Sequence, residues 1–415
     1  MVNIVTVEIN DKTFKTVISA SIDTGLDNFG FYFDLEINIP IEESEFRTLG
    51  EAIKINIDGK TMLTGFIEAT DLTYFPDTAN LKVSGRDKLC DFVDSRVSNK
   101  IFKTPMGFVE ILTDLLKETG YQVVSPNRLI GLQKKLGDNQ IAIINEYGSI
   151  DKFETNESIS FGKDEKAFSL IQRLADKRQL VIGTNGDGNI VIRKIGQERC
   201  RTILQNNNLF NSPNSSNNIK NASIKRDESK MFYEYRIFSS GKSSEPNSDK
   251  SKTPEEIFAQ ALRDALVNNT TQRSGVFYDP NIRKTRKFID NISSLSSKQC
   301  TERAEWEANI RRAKSFEYNC SVVGFRQNLS ETKDFSFGGN QLWEINQLVY
   351  VSDKQAGIEE ELLIKSVKYR KSLSGTICDM KLVNPLSYTE SVFKPVIKRS
   401  KKSLSIDWSK LKTVS

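Results

Sequence analysis

Residues 52–70 read AIKINIDGKTMLTGFIEAT. Ile53, Ile55 and Ile57 alternate with polar residues, the period of a strand with one buried face. Asp58-Gly59 is the residue pair that a two-residue hairpin turn requires, and a second run through Met62 and Phe66 leads back from it. The stretch is therefore a β-hairpin, and its neighbours repeat the pattern. VNIVTVEIN (2–10) alternates up to the turn signal Asn10-Asp11, and residues 29–40 alternate through Phe31, Phe33, Leu35 and Ile37. Strand-like runs recur near the other end in SFEYNCSVVGFRQ (315–327), QLVYVSD (347–353), ELLIKSVKYRK (361–371) and GTICDMKLVNP (375–385). Short, regularly spaced strands predict a small barrel or sandwich at each end.

Between the two lies mixed material. A short helix is expected within residues 83–96, capped by Asp87, with Leu89, Cys90, Phe92 and Val93 inward. A second begins at Thr104-Pro105, continues through Phe108, Ile111, Leu112, Leu115 and Leu116, and stops at Gly120. A third covers about 165–178, followed by a hairpin that turns at Asn185–Gly188. The spacing of those glycines lacks the phosphate-loop pattern, so the segment reads as a turn. Residues 206–223 read as a polar loop, 231–240 as a strand, and 241–253 as low-complexity sequence. Thr253-Pro254-Glu255-Glu256 reads as a capping box. A helix over 297–314 carries Cys300, Ala304 and Ala308 on one stripe and Trp306, Ile310 and Ala313 on another.

The expected architecture is a β-rich, multidomain α+β chain. Its first barrel-like domain spans 1–96, α+β domains span 97–205 and 206–296, and a helix with a second barrel-like domain spans 297–390. A basic tail, 391–415, follows.

Composition removes whole classes of chemistry. None of the 415 residues is histidine, which excludes Ser-His-Asp and Cys-His nucleophiles and His-ligated zinc. The five cysteines are odd in number and widely spaced, without a CxxC pair, so buried free thiols are expected and neither a disulfide framework nor a metal site is. No apolar run approaches the ~18 residues that would cross a bilayer, and no membrane insertion is expected. The N-terminal residues lack the basic and apolar blocks of a signal peptide, so synthesis in a cytosol is expected. The tail holds seven basic residues and one acid, leaving 52 basic against 53 acidic residues elsewhere. A neutral body with a basic tail is unlike a general nucleic-acid binder.

ERAEWEANIRRAKSFEYNCSVVGFRQ (302–327), QLWEINQLVYVSDKQAGIEEELLIKSVKYR (341–370) and the strand GTICDMKLVNP resemble the baseplate hub proteins of Mu-like contractile-tail phages, within the late control protein D and type VI spike hub superfamily. VSGRDKLCDFVDS (83–95) resembles the segment leaving the first barrel of the same family. The resemblance implies a homotrimer in the virion baseplate, assembled in the host cytoplasm. Each subunit would give two β modules to one pseudo-sixfold ring that joins the hexameric tail tube protein to the central spike protein, beside other baseplate proteins. DNA would meet it only in transit through the lumen. Three subunits can match six only if each carries the contact twice. Interfaces of the obligate class, roughly 2,000 Å² or more, are expected. The resemblance implies no catalytic residue, cofactor or metal. Its rivals are a tail-associated peptidoglycan hydrolase, which would need two spaced carboxylates, and the hub portion of a type VI secretion-like spike.

Two groups of residues stand out as contact candidates. Trp306, Ile310, Arg311 and Arg312 form a subunit-interface candidate, because Trp and Arg are favoured anchors. In the tail, Lys398, Arg399, Lys401 and Lys402 with the apolar Ile406, Trp408 and Leu411 form a spike or baseplate docking candidate.

Overall fold

The computed structural model describes residues 3–10, 12–40, 50–76, 78–97, 101–102, 106–125, 139–146, 159–161, 165–176, 180–196, 198–206, 217–239, 273–291, 297–327 and 341–388. They fall into two compact units, one containing 1–224 and 317–388 and the other 225–316.

The first unit begins with seven strands: β1 (Val5–Ile9), β2 (Lys12–Phe14), β3 (Val17–Gly25), β4 (Asn28–Pro40), β5 (Ala52–Ile57), β6 (Lys60–Tyr74) and β7 (Thr78–Asp87). The opening hairpin is as read: Ile57 pairs with Lys60, and Asp58 (φ 50°) and Gly59 (φ 80°) take the left-handed conformation that its turn demands. The order β3-β4-β7-β6-β5-β1-β2 is antiparallel throughout. Phe33, Leu35 and Ile37 point inward from β4 with Leu81 and Val83 from β7.

Next come α1 (Cys90–Asp94), β8 (Ile101–Phe102), α2 (Phe108–Glu118), β9 (Gln122–Val124), β10 (Gln140–Asn145), β11 (Ile159–Ser160), α3 (Ala167–Asp176), β12 (Leu180–Thr184), β13 (Ile190–Lys194), β14 (Glu198–Arg199) and β15 (Leu204–Asn206). The apolar stripes of α2 and α3 close over the sheet β12-β13-β10-β9, with Ile111, Leu115, Ile171 and Leu174 buried against Ile141, Ile182 and Ile192. Thr104 and Pro105 lie outside the described residues. Gly107 takes the N-cap position of α2, and its N–H donates to the Glu110 carboxylate at 2.7 Å.

Asp87 plays a different part from the helix cap expected of it. Leu89 holds the N-cap position of α1 without a side-chain bond. Asp87 is buried at the end of β7 and accepts from Thr184 Oγ1 (2.5 Å), Phe31 N (3.1 Å) and Leu89 N (3.2 Å). One carboxylate thus ties β4, the entry to α1 and β12 together.

The segment read as a polar loop, 206–223, ends in a strand, β16 (Ile219–Arg226). Both its faces are exposed, so its side chains carry no inward-outward period, and it is held by backbone pairing beside β20. The second unit holds β17 (Glu234–Ser239), β18 (Arg273–Tyr278), β19 (Lys287–Asn291) and α4 (Ser297–Lys314), with β17 central in its sheet. The small stripe Cys300, Ala304 and Ala308 packs on Tyr235 and Ile237. Gly275 makes this approach feasible, because a Cβ there would stand 2.1 Å from Thr301 N. The helix read as opening the last β domain therefore buries this face within the second unit. Arg312 reaches Asp279, which is wholly buried, at 2.6 Å. The 253–256 capping box lies outside the described residues.

The chain returns to the first unit with β20 (Phe316–Val323), β21 (Gln347–Asp353), β22 (Ile358–Ser372) and β23 (Gly375–Val383), then a short 3-10 turn, Pro385–Tyr388. Trp343 is buried, its carbonyl accepting from Tyr369 Oη. The two barrel-like domains expected from sequence are not confirmed. Among the described residues no pairing closes either set of strands, and β22 pairs with β3 so that both ends of the chain share one open sheet. Alternation reports which face of a strand is buried and carries no information about what its edges meet.

Two stability predictions follow from these buried carboxylates. Burial raises the Asp87 pKa to about 6 against the pull of its three donors. With an unfolded value of about 3.9, its contribution is fully present below about pH 4 and lost as pH rises through 6, a change of about 3 kcal/mol. Urea midpoints of wild type and Asp87→Asn, taken from pH 4 to 7, should diverge accordingly, with the variant flatter. Arg312→Met leaves Asp279 buried without its cation and should cost about 3 kcal/mol by urea unfolding, with much of the loss recovered in Arg312→Met/Asp279→Asn.

Candidate interaction surface

The strands at the two ends of the chain repeat one another. In the first set the order is β4-β7-β6-β5, and in the last it is β20-β23-β22-β21, antiparallel at every step. The central strand is 15 residues long in both. Each central strand carries one bulge against its following neighbour, skipping Glu68 in β6 and Lys365 in β22. Aligning the bulges makes Ala69–Tyr74 equivalent to Ser366–Lys371, and β7 equivalent to β23. The bulge bends each strand, so its first half pairs with one neighbour and its second half is free to meet another.

That second half is occupied in only one of the two sets. Ser366–Lys371 of β22 pairs with Gly25–Ala20 of β3, and Lys368 Nζ stands 3.7 Å from Asp23. The equivalent edge of β6, residues 69–74, has no strand beside it among the described residues. It is exposed along its length, including Leu72, Tyr74 and the following Phe75. A second open edge lies on β16, which ends the path of the sheet beyond β20. Unpaired edges of this length are templates for another strand.

The polar face of the shared sheet is electrically mixed. Arg370 forks onto Asp379, Lys368 faces Asp23, Arg86 bridges Glu68 (2.5 Å) and Asp94 (2.7 Å), and Asp71 stands across from Lys82. Among the described residues no run of cations crosses it. An open pocket of about 450 Å³ lies on this face between β3, β4, β6 and β7 and the β22–β23 hairpin.

The interface candidates on α4 have partners within their own unit. Arg311 pairs with Glu307 (3.3 Å) and its guanidinium lies 4.3 Å from the Phe288 ring centroid, while Arg312 holds Asp279. Trp306 is half-buried beneath Arg303 (3.8 Å), and Ile310 is half-buried as well. The tail candidates Lys398, Arg399, Lys401, Lys402, Ile406, Trp408 and Leu411 lie outside the described residues. Burial pushes the Cys90 and Cys320 thiols up to about 12, which leaves them protonated and poorly nucleophilic at neutral pH. Among the described residues no three Cys, Asp or Glu side chains converge as a metal site would require. The open edges β6 and β16 escaped sequence reading, because edge status is a property of the assembled sheet.

Comparison with known proteins finds matches at both of these regions. Residues 4–87 match the family model of the Mu phage baseplate assembly protein GpP-like N-terminal domain, and residues 296–390 match that of the GpP fourth domain. The latter range counts α4 with the strands that follow it. The baseplate hub protein gp44 of Escherichia phage Mu is 21% identical over 373 residues, covering 88% of this chain and 84% of that protein. Two solved structures share the fold with a TM-score of 0.65. The 43 kDa tail protein of prophage MuSo2 from Shewanella oneidensis is 19% identical, over 93% of this chain and 99% of that one. A tail protein from Neisseria meningitidis MC58 is 17% identical, over 94% and 99%. The chain thus resembles the Mu-like phage baseplate hub proteins, with a match to the GpP-like first domain near one end and to the GpP fourth domain near the other.

Proposed function

We propose that the chain is a structural baseplate hub: a homotrimer that joins a hexameric tail tube to a threefold central spike, working through geometry with no catalytic step. The observation that carries this reading is the duplication. One polypeptide bears the same four-strand arrangement twice, with the same bulged 15-residue strand at its centre. Three copies then offer six similar modules, which is the condition for a threefold body to satisfy a sixfold ring.

In this trimer the polar face of the sheet lines the passage. Its paired charges neither bind a passing phosphate backbone tightly, as a basic belt would, nor expose apolar surface to it. The α4 face with Trp306 and Ile310 remains a candidate contact between subunits, and the basic tail with Ile406, Trp408 and Leu411 a candidate contact with the spike or a neighbouring baseplate protein.

Light scattering on the purified chain should give about 141 kDa, three times 47.0 kDa, with rings of sixfold appearance in negative stain. A monomer at assembly concentrations would reject the hub reading. Removing residues 391–415 should leave the particle trimeric, its mass lower only by the deleted residues, while weakening spike attachment. Undiminished attachment would remove the tail from the docking surface.

A further inference from the structure

We propose that β16 of one copy pairs, antiparallel, with residues 70–74 of β6 in the next, in the register that β3 and β22 use inside each chain. This rests on the trimeric reading above and names the contact that closes the ring. The inference begins with the internal seam. There β3 sits between β4 of its own module and the second half of β22 from the other module, with Tyr369 opposite Ile22, Lys368 opposite Asp23 and Lys371 opposite Ala20.

β16 occupies the place beside β20 that β3 occupies beside β4. Asp227 N donates to Ser315 O at 2.8 Å, and Arg226 lies over the Phe316 ring. Extended from that bond in the antiparallel sense that β3 keeps beside β4, the inferred register sets Ile224 opposite Tyr318 and Ala222 opposite Cys320. In the first module Ile22 lies opposite Phe33 and Ala20 opposite Leu35. Phe33 and Leu35 are the counterparts of Tyr318 and Cys320, because they pair with Gly85 and Val83 where Tyr318 and Cys320 pair with Leu382 and Met380. Ala222-Ser223-Ile224-Lys225 therefore falls on Ala20-Ser21-Ile22-Asp23, and the sequence Ala-Ser-Ile occurs at both places.

The partner edge obeys the same alignment. Leu72 takes the position of Tyr369, and Asp71 that of Lys368. Across the seam between copies, Leu72 then meets Ile224, both exposed in the single chain, and Asp71 meets Lys225. The ion pair of the internal seam, Lys368 with Asp23, recurs with its signs exchanged. An exchange on both strands keeps the attraction and disfavours pairing either strand with the wrong partner. No other described segment supplies a strand to either edge, and a second copy supplies one to both.

The test uses the full chain with two cysteine pairs, Leu72→Cys/Ile224→Cys and Thr73→Cys/Ser223→Cys. Of two adjacent antiparallel positions, one is the closer non-hydrogen-bonded pair suited to a disulfide. Mild oxidation should give covalent species up to three chains and none larger, absent from each single-cysteine control. Asp71→Lys should weaken self-association at least tenfold by sedimentation, with recovery in Asp71→Lys/Lys225→Asp. A 141 kDa particle that forms no cross-link with either pair, or an Asp71→Lys loss that Lys225→Asp does not repair, overturns the proposed seam and leaves the trimer standing. Cross-linked ladders beyond three chains overturn closure of the ring. A monomeric wild type overturns the trimer and the seam together.

Discussion

Every backbone N–H and C=O of a strand needs a partner, and this requirement organises the molecule. A 15-residue strand is too long for a single neighbour in a compact module, so each central strand bends at a bulge that leaves the second half of one edge free for another partner. In β22 the second partner comes from the far end of the same chain, which is why residues near 20 and near 370 share a sheet. The first unit is discontinuous in sequence for this reason, and the loop-closure cost of joining distant segments is modest because it grows only slowly with length.

Duplication of topology has largely outlived duplication of sequence. Around the two bulges, GFIEATDLTY (65–74) and LLIKSVKYRK (362–371) share little beyond Ile67 and Ile364. What both keep is the inward-outward order: Leu81 and Val83 face the core from β7 as Cys378 and Met380 do from β23. A core accepts many apolar side chains of suitable size, whereas a strand shifted by one residue turns its whole apolar face outward, so the alternation persists after the residues have changed. Only at Ala-Ser-Ile does a stretch of side chains recur, and it lies on strands whose two edges are both used or available.

The second unit relies on different physics. Its helix has weak amphipathicity, with alanine and cysteine as its buried stripe, and owes its hold to close backbone approach at Gly275 and to arginines turned onto Asp279, Phe288 and Glu307. Arginine can form an ion pair and stack on an aromatic ring at once, so residues that look like free anchors in sequence can be committed within their own unit. The same ambiguity hid Asp87, whose position before a helix suggests a cap but whose burial makes it a tie between three elements.

The sequence by itself determined the strands with clear alternation, the hairpin at Asp58-Gly59, the helices with clear apolar stripes, the lack of histidine chemistry and the family resemblance, because periodicity, turn residues and composition are local properties of the chain. The tertiary structure decided which strands lie side by side, that the two β regions share one sheet, that residues 219–226 are a strand, and which edges have no strand beside them among the described residues. Backbone pairing is blind to side-chain identity and joins residues hundreds of positions apart, so no local pattern announces it.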